Sequence, residues 1–209
     1  MYIESWGRPV VIQNATNGHI NDVLHHMSQA EHGAQYMIIY QNLDMLRELY
    51  SNYVHKQIKE NNEIVLINPF YETTDSVMEV LSEKYNDGMN SISRHQKQKS
   101  LLIADALERY FSEQNTVDYS FKMSLSDHAK KTGKNGLSIL GDMGAFTHKL
   151  KCEELVNYEL SLPTKYDDGN GIALKGFCLY HQKDFDMLSD EQKQKLIEHH
   201  GKALKITQI

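Results

Sequence analysis

Two hydrophobic patterns alternate along the chain. Gln35-Tyr36-Met37-Ile38-Ile39-Tyr40 and Glu63-Ile64-Val65-Leu66-Ile67 are short, nearly unbroken apolar runs rich in β-branched and aromatic residues. That is the pattern of strands covered on both faces. Between them, from Asp44 to Lys59, apolar residues fall at Leu46, Leu49, Tyr50, Tyr53, Val54 and Ile58, the spacing of one helix face. A second helix is predicted with Val77, Val80, Leu81 and Tyr85 on one face and Ser76 and Glu79 in capping-box spacing at its start.

The alternation continues towards the C-terminus. Asn86-Asp87-Gly88 reads as a turn and the basic stretch Arg94 to Lys99 as an exposed loop. Ser100 to Ala104 reads as a third strand or as the start of a helix over Asp105 to Glu113. Phe121 to Lys131 is helical in pattern, and Gly136 to Gly141 is a fourth strand between glycines. A helix over Cys152 to Leu162 turns Cys152, Leu155, Val156 and Leu160 inward and stops at Pro163. The loop Asp167 to Gly171 precedes a fifth strand, Ile172 to Tyr180. Ser189-Asp190-Glu191-Gln192 is a capping box opening a last helix to about Glu198, and Lys202 to Ile206 is a terminal strand. Strands separated by helix-length segments predict βαβ units, hence an α/β fold with a mainly parallel sheet flanked by helices.

Composition narrows the function. The chain has 209 residues and a formal charge of -6, with 28 acidic against 22 basic residues. A broad nucleic-acid or anionic-membrane surface is not expected from that balance. Arginines are scarce (Arg8, Arg47, Arg94 and Arg109), so bidentate phosphate clamps are scarce too. No apolar stretch approaches the roughly 20 residues of a membrane span. The N-terminal residues have no signal-peptide pattern. Cys152 and Cys178 are too few for a disulfide framework, so a reducing cytoplasm is the expected compartment.

Candidate chemistry is sparse. The chain leading into the first clear helix, Tyr40-Gln41-Asn42-Leu43-Asp44, holds no glycine and no lysine, so a phosphate loop is missing there. Leu140-Gly141-Asp142-Met143-Gly144-Ala145-Phe146 resembles a shortened dinucleotide fingerprint and reads more simply as a tight turn after a strand. Four of the eleven histidines, His19, His25, His26 and His32, lie between Gly18 and Gly33. Their spacings of six, one and six do not set two imidazoles on one helix face towards one ion, and no metal or other cofactor is expected. There is no Gly-x-Ser-x-Gly elbow. Cys178, inside an apolar strand, reads as an inert thiol.

Several short motifs nevertheless fall in a familiar order. Gly18-His19-Ile20 precedes the first clear strand, which Tyr40 closes; Gly141-Asp142-Met143 ends a later strand, and Tyr158-Glu159 lies on the next helix. Phe177-Cys178-Leu179-Tyr180 ends the following strand, and His200-Gly201 follows the last helix. From Gly18 to Ile206 the chain resembles the MEDS domain, the methanogen/methylotroph sensory domain of the DcmR type. It departs from that pattern with Asp142 in place of Glu, His181 in place of Asp and Gly201 in place of Pro, and Ser138 lies near a position that often holds Arg. The resemblance implies a three-layer, RecA/KaiC-like α/β core without a Walker A loop, preceded by an N-terminal extension over 1–17.

It also implies a sensory, non-catalytic role that recognises a small organic ligand such as a hydrocarbon derivative. With only about 17 residues ahead of the domain, a DNA-binding module does not fit. A stand-alone domain signalling through a homo-oligomer or a protein partner is the expectation, with no contact to nucleic acid or membrane. The ligand site is expected at the strand ends, built from His19, Tyr40, Gly141, Asp142, Met143, Tyr158, Glu159, Cys178, Tyr180 and His200. Two rivals are a cryptic enzyme pairing His19 with Glu159 or Asp142, and a pure protein-interaction scaffold.

Overall fold

The apolar runs become strands buried on both faces, and the periodic segments become helices packed over them. The computed structural model describes residues 15–86, 88–111, 117–163 and 173–207. In chain order the elements begin with β1 (Ala15–Gly18), α1 (Ile20–Ser28), β2 (Gln35–Tyr40), α2 (Leu43–Lys59), β3 (Ile64–Asn68) and α3 (Thr74–Ser82). Next come α4 (Met89–Lys97), β4 (Leu101–Ile103), α5 (Ala106–Phe111), α6 (Val117–Lys131), β5 (Leu137–Asp142) and α7 (Gly144–His148). The chain closes with α8 (Cys152–Ser161), β6 (Leu174–His181), α9 (Gln182–Met187), α10 (Asp190–His199) and β7 (Lys202–Ile206).

The strands form one seven-stranded sheet in the order β1-β7-β2-β6-β5-β3-β4. Every pairing in it is parallel. Helices cover both faces, giving the three-layer α/β arrangement expected from the sequence. On one face Val23 and Met27 of α1, Leu46, Leu49 and Tyr53 of α2, and Val77 and Leu81 of α3 pack on Ile38, Tyr40, Ile67, Leu140 and Leu179. On the other, Phe146, Leu155, Val156, Phe185 and Leu196 pack on Met37, Ile39, Cys178 and Tyr180. Leu125 and Ala129 of α6 cover Ile64, Leu66 and Ile139 beside them. Among the described residues no helix is long and apolar enough to cross a membrane.

Several local readings change. The sheet starts at Ala15, inside the segment set apart as an extension, and pairs with β7 from Ala15↔Ala203 to Gly18↔Ile206. Arg94 to Lys97 lie in α4 rather than in an exposed loop, because Ile92 and Ser91 bury one side of a helix whose other side is polar, while Gln98 and Lys99 form the exposed turn that follows. The cap of α3 is Thr73, which accepts the Ser76 N–H at 3.1 Å, so the Ser76–Glu79 spacing is not the helix start. On α8 the inward face is Leu155, Val156 and Glu159, while Leu160 is exposed and Cys152 half-buried. The step from 155 to 159 is one helical turn, so Glu159 takes the inward position assigned to Leu160. Ser189 and Gln192 do form the capping box of α10. The loop 167–171 lies outside the described residues.

A buried ion pair pins the amino ends of three central strands. Lys175 Nζ on β6 lies 2.7 Å from Glu63 Oε1, just ahead of β3. Ser138 of β5 donates to Glu63 Oε2 at 2.7 Å, and Tyr53 of α2 is 2.9 Å from the Ser138 hydroxyl. A buried charge without its partner is costly. Lys175→Met is expected to lower the unfolding free energy by about 3–5 kcal/mol. Adding Glu63→Gln should recover much of the loss. Chemical denaturation of both variants checks this, and a double variant no better than the single would show that the pair is not the cause.

Candidate functional site

In open α/β sheets ligands bind outside the carboxyl ends of strands, where neighbouring connections leave in opposite directions. Here β2 connects towards β4 and its neighbour β6 connects towards β1, so that crevice lies above Tyr40, His181 and Asp142. Side chains of the protein itself fill it. Tyr40 donates to Asp142 Oδ2 at 2.8 Å, and the other Asp142 oxygen accepts the Gly144 N–H at 2.8 Å. His181 stacks edge-on against Tyr40 at 5.3 Å and lies 5.3 Å from the Tyr71 ring, whose hydroxyl donates to Asp184. The void left beside Asn68 and Asp142 has a volume of about 10 Å³, the space of one water rather than an organic ligand.

Burial dominates the chemistry of Asp142. It raises the carboxyl to about 7, and the nearby Asp184 and Glu72 charges add to the effect; the Gly144 and Tyr40 hydrogen bonds only partly oppose it. The turn that opens here is tight, as expected from Gly141 to Phe146. A Cβ on Gly141 would stand 2.5 Å from the Tyr110 hydroxyl, so this glycine lets Tyr110 approach the strand. Met143 is core, buried with Phe146.

A second polar group lies on the opposite face, under α8 and α10. Glu159 is fully buried. Tyr180 donates to Glu159 Oε1 at 2.8 Å, and the Cys178 thiol donates to Oε2 at 3.3 Å. Gln35 Nε2 is 3.4 Å from Oε2 and 3.9 Å from Cys178 Sγ. His200 places Nε2 3.5 Å from Oε2, with Nδ1 held 2.7 Å from the Leu196 carbonyl. Burial alone raises the Glu159 carboxyl, but the partners from His200, Tyr180 and Cys178 outweigh it and hold it below the usual carboxylate range. Burial likewise disfavours a charged His200, and the Glu159 carboxylate reverses that and raises its pKa. Alternation along β6 brings Cys178 and Tyr180 to this face, opposite Met37 and Ile39 of β2.

His19 stands apart from both groups. It follows β1 and is the N-cap of α1, where its backbone N–H donates to Asp22 Oδ2 at 3.1 Å. Its side chain borders an open cleft of about 590 Å³ at the carboxyl ends of β1, β7 and β2. Asp22, Asn42, Asp44, Glu48 and Ile206 also line that cleft.

The single site expected from the sequence therefore separates into three places. Tyr40 and Asp142 meet at one crevice; Glu159, Cys178, Tyr180 and His200 meet on the other face; His19 joins neither. Tyr158 belongs to an aromatic cluster, 5.4 Å from the Tyr110 ring and 5.3 Å from Phe146. Because α1 packs on the face opposite α8, His19 cannot reach Glu159 across the sheet. Sequence reasoning missed Gln35, Glu63 and Lys175. Their signal was a polar residue placed inside or at the edge of a buried strand.

The raised Asp142 pKa has a signed consequence. Its ordinary value is 3.8, so between about pH 4 and 7 the unfolded chain has lost this proton while the folded chain keeps it, and stability falls as pH rises. Asp142→Asn still accepts from Gly144 through its amide oxygen, lets its NH2 donate to the Tyr40 hydroxyl in place of accepting from it, and removes the titration. The stability difference between variant and wild type should grow by up to about 1.4 kcal/mol per pH unit across that window and flatten above it. Urea denaturation at several pH values checks this, and parallel curves would refute it.

No sequence-family profile matches the chain. No curated protein matches it either. A solved structure from Pyrococcus horikoshii OT3, known from a structural study, aligns over 91% of this chain and 88% of its own, at 10% identity and a TM-score of 0.46.

Proposed function

We propose that the chain is a non-catalytic sensory domain of the MEDS type that binds a small organic molecule in the cleft beside His19. Its output passes through a protein partner or a second copy of the chain. The observation that carries this reading is the contrast between two places at the strand carboxyl ends. The crevice above β2 and β6 is filled by Tyr40, Asp142, Tyr71 and His181, whereas among the described residues the cleft over β1, β7 and β2 is open at about 590 Å³. That volume lies within the range of small-molecule sites.

The lining indicates the ligand class. Asp22, Asp44 and Glu48 bring three carboxylates, Asn21 and Asn42 bring amides, and Ile20, Met45 and Ile206 supply apolar contact. Such a surface repels a phosphate chain and suits an organic ligand carrying hydrogen-bond donors or a positive charge, with a short apolar part. Catalysis by His19 with Asp142 is disfavoured, because Asp142 is buried and already engaged by Tyr40 and Gly144.

Native mass spectrometry of freshly purified protein is expected to find a small molecule retained by the folded chain. His19→Ala should reduce its retention roughly five-fold, the effect of about 1 kcal/mol for one hydrogen bond at an exposed wall. Lys97→Ala, on the exposed side of α4, should leave it unchanged. Calorimetry with Mg-ATP should give no saturable heat. A saturable ATP isotherm, or equal ligand retention in the His19 and Lys97 variants, would remove the reading.

A further inference from the structure

We propose that Glu159, Cys178 and His200, with Gln35 as fourth donor, form a binding site for one thiophilic divalent cation of the zinc class. This site lies on the face away from the cleft and does not depend on the cleft's function. Among the described residues these three are the group whose His, Cys and carboxylate ligand atoms converge, all lying within 4.8 Å of one another. The four histidines between Gly18 and Gly33 do not converge: His26 meets Lys202, His32 meets Glu63, and His19 and His25 are exposed.

Two of the three ligand spacings match a coordination shell, and the third, between Cys178 and His200, falls within 4.8 Å. For zinc, tetrahedral angles and ordinary ligand lengths separate a thiolate sulfur from a carboxylate oxygen by roughly 3.6 Å, and an imidazole nitrogen from that oxygen by roughly 3.4 Å. The observed separations from Glu159 Oε2 are 3.3 Å to Cys178 Sγ and 3.5 Å to His200 Nε2. Each distance is long or ordinary as a hydrogen bond, and both are close to an edge of such a tetrahedron.

Two orphaned atoms point the same way. Among the described residues the Nε2 of His200 has no conventional hydrogen-bond partner, although the side chain is wholly buried. Its Nδ1 donates to the Leu196 carbonyl, which leaves Nε2, on the Glu159 side of the ring, as the nitrogen free to ligate a cation once any proton on it is released. Gln35 is equally buried and its Oε1 has no partner among the described residues, while Nε2 faces Glu159 and Cys178. A half-turn of the amide about its last bond directs that oxygen at the same point. Tyr180 already occupies Glu159 Oε1, which leaves Oε2 to ligate alone and gives the carboxylate the outer hydrogen bond typical of metal ligands.

Charge closes the argument. Cys178 as thiolate and Glu159 as carboxylate carry two negative charges, and a divalent cation with neutral His200 and Gln35 makes the buried group neutral. Binding releases the thiol proton, and any proton on His200, to solvent. No oxidation state changes.

The test uses the full chain, stripped with a chelator and titrated with Co²⁺. One equivalent is expected to give a thiolate-to-cobalt charge-transfer band and the visible bands of a tetrahedral ion, both abolished by Zn²⁺. Cys152→Ser should retain the spectrum, Cys178→Ser should lose the charge-transfer band, and Glu159→Gln should weaken Co²⁺ binding at least ten-fold. Wild type also serves without any substitution: bound Zn²⁺ should slow iodoacetamide labelling of Cys178 ten-fold or more and leave Cys152 unaffected. No cobalt band in wild type, a band that follows Cys152, or Cys178 labelling indifferent to Zn²⁺ would each overturn the proposal.

Discussion

A carboxylate with no exposure must be answered by donors or cations, because burying it unanswered costs several kcal/mol. Glu159 imposes that requirement on a large part of this chain. It projects from α8, and its partners come from alternate positions of β6, from the start of β2 and from the residue that caps α10. Each element must hold its rotation and register for the oxygens to be served. A one-residue slip of β6 against β2 would send Cys178 and Tyr180 to the opposite face and leave Glu159 among apolar side chains. The register Met37↔Cys178 and Ile39↔Tyr180 is thus enforced by polar chemistry as well as by hydrophobic burial.

The same device recurs at two other levels of the sheet. Glu63 and Lys175 join the amino ends of β3 and β6 through Ser138 of β5, and Tyr40 and Asp142 join the carboxyl ends of β2 and β5. These three polar pins serve different strand pairs, and only Asp142 lies where an open α/β sheet ordinarily receives a ligand. Filling that crevice with tyrosines, a histidine and a carboxyl closes the usual nucleotide position. The open volume is displaced to the edge, where β1 and β7 extend the sheet beyond β2.

Much of this architecture is legible in the sequence, and the failures have physical causes. Gln35 to Tyr40 reads as a strand because a parallel strand buried on both faces must be apolar throughout. The start of α10 is legible because Ser189 and Gln192 satisfy orphan amides in a local, three-residue pattern. Short β1, Ala15–Gly18, carries no such run and is defined by pairing with β7, near the other end of the chain. The α4 helix has one strongly buried apolar residue, Ile92, too few to produce a visible period. His19 and Glu159 were both candidates, but no local pattern shows that they lie on opposite faces. That depends on which neighbour each strand takes.

The same reasoning explains why the buried polar residues were the hardest to read. Lys175 stands between Leu174 and Gly176 in a strand that is otherwise apolar, an arrangement that makes sense only if an anion waits at that depth. The anion, Glu63, stands just ahead of β3, and β5 lies between β3 and β6 in the sheet. Gln35 is similar: it opens an apolar strand, and its amide finds Glu159 and Cys178 only because β2 lies beside β6. A sequence exposes the anomaly of a polar residue in a buried run. The parallel topology supplies its partner, so the chemistry here becomes visible only after the strand order is known.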